Sequence, residues 1–130
     1  FGQDIFFAAE KAVEKPAKYQ NSLIELKDTK KETLAIFSDN QVDILIGLTR
    51  GPAWEIDYAE GDSGAIKRAK SFGNGGYAAI SGLPHITIPA YQIDGYPVGV
   101  SVIGRPWEDL LVLQVAAVLE TFFRGRFPKS

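Results

Sequence analysis

Two alternating aliphatic runs late in the chain narrow the fold most. His85-Ile86-Thr87-Ile88-Pro89 alternates, and so does Val98-Gly99-Val100-Ser101-Val102-Ile103. A period of two puts Val98, Val100 and Val102 on one face of a strand. Asp94-Gly95 lies between the runs and is a strong turn signal. The eight residues from Ala90 to Pro97 make the expected hairpin a long-looped one. Pro106-Trp107-Glu108-Asp109 then opens a helix, because proline suits the first helical position and the acids favour the positive helix end. Leu111, Val115, Val118 and Phe122 should line one face of it. Leu110, Leu113 and Ala117 widen the apolar area, so burial on more than one side is expected. Gly125 ends the run.

Upstream, Ile5, Ala8, Ala9 and Ala12 recur at helical spacing within Gln3 to Glu14, and Pro16 stops that helix. A second helix is expected from about Ala17 to Ser38, with Leu23, Leu26, Leu34 and Phe37 as its stripe. The Asp28–Glu32 charge cluster is its solvated face, and Asp39-Asn40 closes it, since Asn tolerates the left-handed conformation. Val42-Asp43-Ile44-Leu45-Ile46 reads as a buried strand. Thr49 to Gly76 is irregular and longer than an ordinary connection, the kind of loop that is functional or packs against something else. A helical turn at Tyr77–Ser81 ends at Gly82 and Pro84. The division is therefore 1–40 helical, 41–48 strand, 49–76 long loop, 77–104 short helix and strands, and 105–124 closing helix. The fold class is α/β.

Composition bounds the chemistry. The 130 residues are 45% hydrophobic and 23% charged, the balance of a globular chain. A net charge of −2 without a basic block argues against direct nucleic-acid binding. No cysteine is present, which removes disulfides, thiolate metal sites and a Cys nucleophile. One histidine, His85, excludes a two-His metal site. Leu110–Leu119 is too short to span a bilayer, and with no signal peptide visible a cytoplasmic location is expected. No Met occurs, and the chain opens at Phe1 within the region 1–40 read as helical, so it reads as a segment of a longer protein.

The isolated motifs are weak. Gly73-Asn74-Gly75-Gly76-Tyr77-Ala78 fits the G-x-G-x-x-A form, but Ile66–Phe72 before it is not a buried strand, so a flexible loop leading into a helix is the better reading. His85 reads as a strand-edge histidine. Asp57, Glu60 and Asp62 lack the calcium-loop spacing and read as solvated acids. Ser63 and Lys67 miss the S-x-x-K spacing by one residue. Trp54, in a Gly/Pro loop, packs on the surface, walls a pocket or meets another domain.

Residues 79–90, Ala-Ile-Ser-Gly-Leu-Pro-His-Ile-Thr-Ile-Pro-Ala, resemble the carboxy-terminal signature of the amidase signature family. So do Asp94-Gly95-Tyr96-Pro97-Val98-Gly99-Val100-Ser101-Val102-Ile103-Gly104-Arg105-Pro106-Trp107, beside the family's Gly-Leu-Pro-Val-Gly-Leu-Gln-Leu-Ile-Gly-Arg-Pro. Val42–Ile46 resembles the family's Asp-Ala-Leu-Leu strand. Thr49-Arg50-Gly51-Pro52-Ala53-Trp54 resembles the Pro-Thr-x-Gly-Pro-Ala-Trp loop of one amidase branch, with Leu48 in place of the proline and Arg50 in place of a small residue.

The resemblance implies a carboxy-terminal part of an amidase fold, a mixed sheet flanked by helices. It also implies amide hydrolysis by a Ser, a cis Ser and a Lys. Those residues belong to an earlier Lys segment and a Gly-Gly-Ser-Ser-Gly-Gly loop, and no two serines are adjacent here, so no catalytic residue is assigned. Thr49, Gly51, Trp54, Ser71 and Asn74 are the candidates for lining the substrate cleft. No cofactor or metal is implied. The expected partners are the missing amino-terminal part, a small-molecule amide and, through faces left bare, a second copy of the chain. The Asp that precedes the signature in glutamine-using amidotransferase A subunits has no clear counterpart around Ser71-Phe72-Gly73-Asn74, which favours a general, bacterial-type amidase. An A-subunit segment and a degenerate, non-catalytic interaction module are the alternatives.

Overall fold

Asp94 and Gly95 both adopt positive φ, 52° and 83°, the signature of a type I′ turn. They join β2 (His85–Ile93) to β3 (Tyr96–Gly104) in the computed structural model, which describes residues 3–61, 64, 67 and 73–124. The hairpin therefore has a two-residue turn and not the eight-residue loop, Ala90 to Pro97, expected from the ends of the alternating runs. Pro89 and Pro97 both sit where a missing N–H is tolerated. Pro89 lies on an outer strand, just before a one-residue register shift at Ala90, and Pro97 lies beyond the stretch of β3 that has neighbours on both sides.

β1 (Ile44–Leu48) pairs antiparallel with the other side of β3, giving the order β1-β3-β2. Both pairings are antiparallel, so any parallel neighbour that would make the sheet mixed comes from outside the described residues. As the central strand, β3 is buried on both faces from Val100 to Gly104.

One face packs on α4 (Asp109–Arg124), with Ile88, Ala90, Val100, Val102, Val112 and Ala116 as the buried centre. The helix face differs from the expected one. Val112 and Ala116 are buried, Val115, Leu119 and Phe123 flank them, and Val118 is 70% exposed with Phe122 at 57%. Leu-Leu-Val-Leu-Gln-Val-Ala-Ala-Val-Leu is apolar nearly all round, so periodicity alone could not choose the inward face. The helix also begins at Asp109, because Trp107 takes a positive φ of 69° and the Glu108 amide bonds Arg105 O at 3.2 Å.

The other face packs on α2 (Pro16–Asp39) and α3 (Gly75–Ser81) through Phe37, Ala78, Leu83 and Ile103, with Leu34, Val42 and Leu45 beside them. Only the last turns of α2 join this core; Ile24 and Leu26 are exposed. α1 (Asp4–Ala12) buries no residue. Asn40 keeps a right-handed backbone and donates Nδ2 to Ile36 O at 2.8 Å, and Gln41 takes the left-handed position instead. Gly82 ends α3 at φ 65°.

Candidate functional site

β1 leads straight into the candidate segment. The Thr49 amide donates to Gly99 O at 2.8 Å, and its carbonyl accepts the Asn74 amide at 3.1 Å. Asn74 stands before α3 but does not cap it. Its Nδ2 instead donates to Leu48 O at 2.9 Å, and the side chain covers Gly47, where a Cβ would collide with it. Thr49 and Asn74, far apart in sequence, are thus brought together at the end of β1. Asn74 also lines a small, mostly apolar cleft with Ile36, Leu45, Gly47, Tyr77 and Ile103.

Arg50 pairs with Gly73 in an antiparallel bridge. Its guanidinium lies over the Trp54 ring, 4.6 Å from the centroid, so the third candidate joins the same cluster. Gly51 lies between them with open space at its Cβ position. Ser71, Asp62 and Ser63 lie outside the described residues. Asp57 Oδ1 accepts the Ala59 and Glu60 amides at 2.8 and 2.7 Å, so this acid organises a local turn.

The sequence did not single out a line of hydroxyls on the same sheet face. His85 Nε2 is 2.8 Å from Ser101 Oγ, Ser101 Oγ donates to Thr49 Oγ1 at 2.9 Å, and Thr49 Oγ1 donates to Thr87 Oγ1 at 3.2 Å. Alternation was the available signal, since His85, Thr87 and Ser101 all fall on the face opposite the valines. Ser101 is 0% exposed, so this Ser–His pair lies closed beneath the surface, and which of the two atoms donates depends on the His85 tautomer. The network ties the start of the 49–61 segment to all three strands. Among the described residues no cluster of His, Asp and Glu could hold a metal ion, and no helix is long and apolar enough to cross a membrane.

Known proteins share this fold. The chain superposes on the crystal structure of PAM12A with a TM-score of 0.78 and 29% identity, over 98% of this chain and 25% of that one. It superposes on the native peptide amidase of Stenotrophomonas maltophilia with a TM-score of 0.63 and 26% identity, over 83% of this chain and 21% of that one. The chain belongs to the amidase signature family. Among curated relatives, a Medicago truncatula fatty acid amide hydrolase is 48% identical over 44 residues, 33% of this chain and 7% of the relative. The A subunit of the Pseudomonas entomophila glutamyl-tRNA(Gln) amidotransferase is 34% identical over 88 residues, 67% of this chain and 17% of the relative. No protein-family model matches the chain. The chain thus spans about a quarter of PAM12A, a fifth of the peptide amidase and less than a fifth of these curated relatives.

Proposed function

We propose that this chain is the carboxy-terminal part of an amide hydrolase, in which it completes the sheet and walls the substrate cleft with the segment that follows β1. One observation carries the reading. Most of the chain, 83%, superposes on about a fifth of a peptide amidase, and the Thr49–Asn74–Trp54 cluster gathers where β1 ends. Thr49, Gly51, Trp54 and Asn74 supply the wall, and Ser71 falls within the same segment. The serine that attacks the amide, with the cis serine and lysine that take its proton, belongs to the remainder of the enzyme, so this part orients the substrate and excludes water.

A second reading, a segment of an amidotransferase A subunit, is favoured by the 88-residue match to the Pseudomonas entomophila protein. Supplying an upstream polypeptide that carries the serine pair and lysine tests both. Hydrolysis of simple carboxamides supports the amidase. Strict dependence on glutamine supports the A subunit. No hydrolysis of either kind, from a complex shown to have assembled, contradicts both.

A further inference from the structure

Of the described arginines, Arg105 is paired with Asp43 and Glu108, and Arg124 with Glu120. Arg50 has no carboxylate partner among the described residues, yet it is held in place at both ends. Its backbone is fixed by the bridge to Gly73. Its side-chain stem runs beside Gly73, where an added Cβ would lie 4.0 Å from Arg50 Cγ and 3.0 Å from Thr49 O. Its guanidinium lies over Trp54. A guanidinium over an indole keeps its in-plane N–H donors available, and that fork matches a carboxylate. Fixing it beforehand removes much of the ordering cost of binding. Asp57 Oδ1 accepts the Ala59 and Glu60 amides, and no ion pair joins Glu55 to Arg50 among the described residues.

We infer that Arg50 is a specificity-determining residue that binds a carboxylate carried by the substrate, so that the enzyme acts on amides bearing a free acid group. An edge of the guanidinium grips a carboxylate through two parallel N–H bonds, and its single positive charge suits a singly charged group. The inference rests on reading the 49–61 segment as the cleft wall, and it goes further by naming the substrate class.

Trp54 reports on the site directly. In a Trp107→Phe background, N-acetylglycine and its neutral counterpart N-acetylglycinamide are titrated against the full chain while Trp54 fluorescence is followed. The expected result is a saturable change with the acid, weakened by added salt, and affinity for the neutral amide lower by about tenfold or more. Arg50→Gln should lose the response with its far-UV circular dichroism unchanged, and Arg50→Lys should keep part of it. Equal responses to both compounds, no saturable response, or a response that survives Arg50→Gln would overturn the inference. Such a failure is separable from failure of the amidase reading, which is decided by whether adding the upstream polypeptide gives hydrolysis of any carboxamide, charged or neutral.

Discussion

Arg105 Nη2 donates to the Val42 carbonyl at 2.7 Å, across 63 residues of chain. The bond joins the end of β3 to the corner where α2 turns into β1. Arg105 Nη1 reaches Asp43 at 3.1 Å, and the guanidinium carbon is 6.0 Å from the Phe37 ring centroid. Asp43 is largely exposed, so the ion pair itself contributes little. The bond from a charged donor to a part-buried carbonyl contributes more, about 1.5–3 kcal/mol.

Arg105→Gln should therefore lower stability by about 1–3 kcal/mol in urea titrations, most of it persisting at high salt. A loss that vanishes with added salt would assign the effect to Asp43 instead.

The two sides of α4 should respond oppositely to charge. Val112→Asp places an unpaired carboxylate against Val100 and Val102 and should cost several kcal/mol or prevent folding. Val118→Asp, on the exposed side, should shift the stability of this chain by no more than about 0.5 kcal/mol. Comparable losses at both positions would show that the exposed side is covered.

These two helix faces also show where the sequence is legible. Strand alternation was readable because β3 is buried on both sides yet keeps its valines on one. Asp94-Gly95 marked the turn, but the prolines at 89 and 97 hid the strand ends, since their tolerance depends on which strand is outermost, and that is set by pairing. The inward face of α4 was hidden by its uniform apolarity. At the site, the Thr49–Asn74 contact was not readable from spacing, because a bridge between Arg50 and Gly73 creates it. The hydroxyl line from His85 to Thr87 arises from register alone.

Ser81 tests the core beneath α3. Its Oγ is buried with no hydrogen-bond partner among the described residues. An unpaired buried hydroxyl costs free energy that alanine does not incur. Ser81→Ala should leave stability unchanged or raise it by about 1 kcal/mol in thermal or urea unfolding. A clear loss would reveal a partner for that hydroxyl.

Faces left bare should drive association. α4 covers β2 and β3 but leaves Ile46 of β1 57% exposed, and Leu110, Leu113 and Val118 are exposed on the far side of the helix. Ile88 of β2 is buried in the α4 core and adds nothing to this surface. Contiguous apolar surface and an open strand edge seek partners. Sedimentation over a wide dilution range should show self-association, reduced by a Leu110→Glu, Leu113→Glu double variant. A monomer at every concentration would contradict this.

The most direct measurement is hydrolysis of simple carboxamides by the pure chain, alone and with an upstream polypeptide bearing the serine pair and lysine. The expected result is no turnover above background from the chain alone, and activity when the two parts are combined. Turnover by the chain alone that is abolished by Ser101→Ala, the serine beside His85, would contradict the assignment of catalysis to the upstream part.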